Sequence, residues 1–224
     1  MDQAASVETT PGPEDAHARD RRIERAAERG AYWSGSRLFV ALSAMLFGGG
    51  VFTYFYLHSL DSNTLWRLSG QRPSDFISVP VLGLAVGAGL LAWLYTRWLL
   101  RGQRVNPADW RVATGVASGM FLLAGLIQLW GMTRTGFAAG SSGYASTYTA
   151  IMPVFAVYCL GAAYWLETGL ARSLRARHVM LDEVGEMQQQ DRVAFRGSAS
   201  GAGVFSLFVA LVAVATFIMF SVLH

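Results

Sequence analysis

Residues 203–223 read GVFSLFVALVAVATFIMFSVL, twenty-one consecutive positions without a charged side chain. As a helix rising 1.5 Å per residue, a run of this length crosses a hydrocarbon layer about 30 Å thick. It is apolar throughout rather than alternating, which excludes a barrel strand. Four further stretches share the pattern: 38–57, 77–100 (interrupted only by Arg97 near its end), 112–132 and 148–166. The fold predicted from them is an all-α integral membrane protein with five transmembrane helices.

Composition agrees. Of 224 residues, 53% are hydrophobic and only 15% charged, against about 25% charged in a soluble domain. The lone Cys159 cannot close an internal disulfide. The formal charge of +3 is too mild for a nucleic-acid binder, and no nucleic-acid partner is expected. All eighteen basic residues are Arg, and their distribution orients the chain. Six precede the first span (19, 21, 22, 25, 29, 37), four flank the second connection (97, 101, 104, 111) and five lie in the fourth (172, 175, 177, 192, 196). Only Arg67, Arg72 and Arg134 fall on the other side. Fifteen against three predicts an N-terminus inside and a C-terminus outside.

Outside the spans, residues 1–17 hold Pro11 and Pro13 among small and polar residues and are expected to be a disordered arm. Residues 18–36 read as a cytoplasmic or interfacial helix, with Arg21, Glu24, Arg25 and Glu28 at three- and four-residue spacing. Tyr32 and Trp33 then stand at the bilayer interface. The membrane domain takes residues 37–224, and nothing at the N-terminus reads as a secretory signal. The connection 167–202, with Leu181–Val184 and three successive Gln from 188 to 190, reads as a cytoplasmic helical excursion. Gly83/Gly87 and Gly115/Gly119 are small-xxx-small pairs that predict close helix contacts, and Gly48–Gly50 smooth the first span. Pro80 falls in the first turn of the second span, where it is tolerated, and Pro153 is deep enough in the fourth to loosen or kink it.

The chemistry is sparse. His17, His58, His178 and His224 all lie outside the helix interiors, so convergent imidazole ligands for a heme or copper are not expected. Cys159 reads as a small buried apolar residue. Accordingly no catalytic, cofactor-binding or metal-ligating residue is assigned. Glu167, at the end of the fourth span and five residues before Arg172, reads as an interfacial carboxylate near that Arg; a docking or proton-antenna group is the sharper alternative. Ser43, Thr53, Thr114, Ser118, Gln128, Thr149, Ser206 and Thr216 are expected to bond neighbouring helices. Arg37, Arg97, Arg111 and Arg172, near helix ends, are candidates for lipid phosphates.

The first span, Leu38-Phe39 through Ser43-Ala44 to Phe47 with Phe52 and Tyr54 beyond, resembles the first core helix of subunit III of the heme-copper oxidases. The approach to the fourth, Gly140-Ser141-Ser142-Gly143-Tyr144 with Ser146, Tyr148 and Gly161 following, resembles that family's entry into its signature helix. The likeness covers residues 36–224 and extends to the long fourth connection and the five-helix topology. Its polar signature is replaced. Ala44 stands where the family has a carboxylate after Ser, Val154 and Val157 where it has two His, and Phe205-Ser206 where it has Trp-His.

The resemblance implies a non-catalytic accessory subunit of a respiratory heme-copper oxidase, in a bacterial-type plasma membrane. It would bind the heme-bearing subunit I and other oxidase subunits. It would support assembly, stability and proton uptake in aerobic electron transport. Heme and copper would belong to the partner, and structural phospholipid would sit in a cleft between helices. The alternatives are an accessory subunit of a nitric-oxide reductase, an unrelated five-helix transporter, or an anchor that recruits proteins through its arm and the 167–202 connection.

Overall fold

The computed structural model describes the backbone of residues 13–60, 66–101, 107–175 and 186–223. Residues 1–12 of the arm, the side chains of His17 and His224, and His178 with Leu181–Val184 lie outside the described residues. All regular structure among the described residues is helical: α1 (Pro13–Ser59), α2 (Asp75–Leu100), α3 (Pro107–Met132), α4 (Gly143–Arg175) and α5 (Glu186–Phe217). A single π-turn, Ile218–Val222, closes α5. Each helix contains one stretch long and apolar enough to cross a membrane, as the hydropathy predicts. This is a five-span multi-pass membrane protein.

The helices overrun the apolar stretches. The interfacial helix and the first span are one continuous α1, and that helix begins at Pro13, within the segment expected to be disordered. Pro at the first helical position loses nothing, because its missing N–H would have no intrahelical acceptor there. At the other end of the chain, α5 starts well before Gly203. The start of α4 is set by Ser142, whose hydroxyl accepts the Ala145 N–H at 3.0 Å, an N-cap bond that satisfies one orphan donor. Pro80 is the sixth residue of α2 rather than in its first turn, and α4 runs on through Pro153.

In the bundle, α5 packs against α1, α2 and α4, while α3 bridges α2 and α4. Helix α1 lies mainly against α5 and α4. The difference in cover is large: the apolar window of α5 is 56% buried, that of α1 only 17%. The core runs from Ala85, Ala88 and Ala92 of α2 through Phe121 and Phe155 to Phe205 and Val209.

The close approaches fall partly where the glycine pairs predict. A Cβ on Gly87 would meet the Met120 side chain at 2.7 Å, but Gly83 and Gly119 face open space. The tightest backbone contact is elsewhere. Gly89 of α2 sits against Ser206 O of α5, which a Cβ would approach to 2.6 Å.

Two sets of side chains finish the ends. At the Trp66 end, Tyr144 OH donates to Phe220 O at 2.7 Å and Tyr54 OH to Leu223 O at 3.4 Å, satisfying carbonyls that terminate α5 and its π-turn. Buried Gln71 ties the two connections of that end together, donating to Ser141 Oγ at 2.9 Å and accepting from Ser142 Oγ. At the other end, Arg111 Nη2 donates to Ser173 O (3.0 Å) and Arg196 Nη2 to Leu100 O (3.1 Å), covering the final carbonyls of α4 and α2.

Candidate functional site

The polar side chains within the spans do different work from one another. Thr53, Thr149 and Thr216 bond back to carbonyls of their own helices, three or four residues earlier. Ser206 is fully buried and its hydroxyl has no partner. Three others cross between helices as expected. Gln128 Nε2 donates to Tyr148 OH at 3.4 Å, Ser43 Oγ accepts from Tyr158 OH at 2.9 Å, and Ser118 Oγ reaches α4.

The Ser43–Tyr158 bond fixes the register of α1 on α4. The same antiparallel register brings Gly50 beside Ile151, where a Cβ would come within 2.9 Å of Ile151 Cδ1. Ala44 and Val157, each one residue from the bonded pair, are therefore level with one another, and both are exposed. These are the two positions at which the oxidase resemblance would require a carboxylate and an imidazole.

Beside this contact, toward the Arg111 end, α1, α4 and α5 leave a groove of about 420 Å³. Phe39, Trp165 and Phe205 wall it, and exposed Gly161 opens it. Thr168, Ser198 and the exposed Arg172 stand at its polar edge. The aromatic walls are in mutual contact, with Trp165 and Phe205 ring centroids 5.6 Å apart and Phe39 and Phe205 5.3 Å apart. Apolar length with one cation at the mouth is the shape of an acyl chain under a phosphate.

Glu167 differs from its expected setting. Residues five apart on a helix do not face one another, and the carboxylate makes no ion pair with Arg172. It meets α3 instead. Ser118 Oγ, 2% exposed, lies 3.1 Å from both Glu167 Oε1 and Ala163 O. Trp110 and Trp130 bracket α3, and Ser118 is eight residues in from Trp110, about 12 Å of helix rise. Because Cα–Cβ bonds tilt toward a helix N-terminus, Glu167 points back along α4, away from the Arg111 end. The carboxylate is thus held by Ser118 of α3 rather than paired with Arg172. Its spacing from Ala163 (four residues, hence the same face) was the only sequence signal for this placement.

The remaining candidates are placed plainly. His58 stacks on Tyr54, 6.3 Å between ring centroids, and edges onto Trp66. Cys159 is fully buried, and no group of three or more His, Cys, Asp or Glu among the described residues could hold a metal. Of the phosphate candidates, Arg172 lines the groove, Arg111 bonds a carbonyl, and Arg97 lies over the Trp93 ring at 4.9 Å. Arg37 is exposed. No family model matches this chain, and no curated protein matches it.

Proposed function

We propose that this chain is an accessory, non-catalytic subunit of a respiratory heme-copper oxidase, of the subunit III type, in a bacterial-type plasma membrane with its N-terminus inside. It braces the heme-bearing subunit I laterally, with other oxidase subunits and membrane lipid around it, and supports that subunit's assembly, stability and proton uptake during aerobic electron transport. Heme and copper belong to the partner.

The observation that supports this reading is the α1–α4 register. Ser43 and Tyr158, each one residue from a position matched by the resemblance to a carboxylate or an imidazole (Ala44 and Val157), bond across α1 and α4 at 2.9 Å. Two of the segments that carry the resemblance, more than a hundred residues apart in the chain, are thus joined by one hydrogen bond. The groove beside them, with Arg172 at its edge, has the form of a phospholipid site in the same region.

The test is extraction in a mild detergent, with a heme absorption spectrum taken on the isolated material, together with deletion of the gene. A heme protein should accompany the chain, and without it that enzyme should assemble poorly or lose activity during sustained turnover. A chain that isolates alone, with oxygen consumption unchanged by its deletion, sinks the reading. Arg172→Ala should separately lower the phospholipid retained in native mass spectra, because the groove loses its one cation.

A further inference from the structure

Toward the Trp66 end, α2, α3, α4 and α5 surround a cavity of about 20 Å³. A single water needs about 10–15 Å³ of such space and two to four polar partners. Gln128 of α3, Tyr148 of α4 and Thr216 and Ser221 of α5 line the cavity, with half-buried Ser78 of α2 on its fourth side. Gln128 is 2% exposed, and its one hydrogen bond, Nε2 to Tyr148 OH at 3.4 Å, uses only part of the amide. Among the described residues Oε1 has no donor, the Tyr148 hydroxyl has no acceptor for its own proton, and the buried Ser221 hydroxyl has no partner. Unlike Ser206 Oγ, neither Gln128 Oε1 nor Ser221 Oγ is sealed in packing, so both open onto the cavity. The backbone contributes to this convergence. Thr216 and Ser221 are five residues apart and would point about 140° away from one another on a regular α-helix. The π-turn Ile218–Val222, closed by Leu223 N–H to Ile218 O at 2.9 Å, widens the winding and brings both to the same cavity.

We propose that this cavity binds one ordered water, which accepts from Tyr148 OH, donates to Gln128 Oε1 and completes its bonding at the Ser221 hydroxyl. The bridge joins α3, α4 and the π-turn of α5 through a single molecule. The chemistry of the lining selects this occupant. Unmet donors and acceptors are both present, which a water can serve at once and an acyl chain cannot. No charged side chain lines the cavity, so an ion would find no counter-charge there. A buried amide left half-bonded is costly, and the water removes that cost without a further protein group. Nothing in this site depends on the oxidase reading.

The test is X-ray radiolysis of the full chain in lipid nanodiscs, read by mass spectrometry. Radiolysis turns a bound water into hydroxyl radicals that oxidise the side chains it touches. Met152 lines the cavity and is 8% exposed; Met219, 4% exposed, does not line it and serves as the control. Met152 should oxidise at least about threefold faster than Met219, because a site with several polar partners keeps its water. A radical scavenger in the bulk should leave that rate unchanged. Gln128→Leu replaces the amide with an apolar side chain, and should bring Met152 down to the rate of Met219. If that variant fails to accumulate, Ser221→Ala removes one partner, leaves the Gln128–Tyr148 bond in place, and should also slow Met152. Equal rates at the two methionines in the unsubstituted chain overturn the site. So does a Met152 rate that the scavenger abolishes, or one that the accumulating variant does not move.

Discussion

The Tyr144 hydroxyl takes the place of water where α5 ends. It donates to Phe220 O at 2.7 Å from a fully buried position, and the same ring packs edge-on against Phe220 at 5.7 Å. Removing the hydroxyl alone leaves the packing and orphans a carbonyl, which costs about 1–2 kcal/mol in a buried setting. Tyr144→Phe should therefore lower stability by about 1 kcal/mol in denaturant titrations of the detergent-solubilised protein. Tyr54→Phe should cost less, since its bond is 3.4 Å. Equal losses from the two would contradict the geometry. Glycines divide in the same way. Gly89→Val must push Ser206 O away from 2.6 Å and separate α2 from α5, at about 1–3 kcal/mol or more. Gly83→Ala meets open space and should be nearly neutral or slightly stabilising.

Among elements, the arginines at the α2 and α4 termini have a second use. Their concentration on one side is a topological signal, and two of them also close helices. Arg111 covers Ser173 O, one of the last four carbonyls of α4, and Arg196 covers Leu100 O, the last of α2. Arg111→Ala should speed amide exchange in the final turn of α4 while leaving the Tyr144 end unchanged; exchange altered equally at both ends would refute a local cap. These caps explain what was and was not legible in the sequence. The spans were, because hydropathy sums over about twenty residues and tolerates local error. Their ends were not, since a helix continues while its carbonyls find partners, and Arg111 and Arg196 come from other helices. Contacts were legible only in part. Gly87 follows the small-residue pattern, yet Gly89 makes the tightest approach, because rotation of α2 about its axis is set by α3 and α5 together. The partner of Glu167 was missed for the same reason: Ser118 belongs to a helix whose register the sequence does not give.

For the whole molecule, the Trp66 end and the Arg111 end face opposite sides of the membrane, and charge alone says which is which. In the sequence fifteen arginines fall to one end and three to the other, a bias that predicts a cytoplasmic Arg111 end. The chain is suited to a direct test, because its single cysteine, Cys159, is fully buried and gives little background labelling. Ser69→Cys lies in the exposed connection at the Trp66 end, and Arg101→Cys is exposed just beyond α2 at the other. In intact cells a membrane-impermeant maleimide should label the first and spare the second, and permeabilisation should expose both. Arg101→Cys removes one charge of fifteen, too few to reverse the bias, so its own labelling in intact cells would mean that the bundle is inverted. An inverted bundle would put Glu167 nearer the outer leaflet and Arg172 among outer headgroups. The groove would then have to engage the opposite half of any enzyme that this chain accompanies.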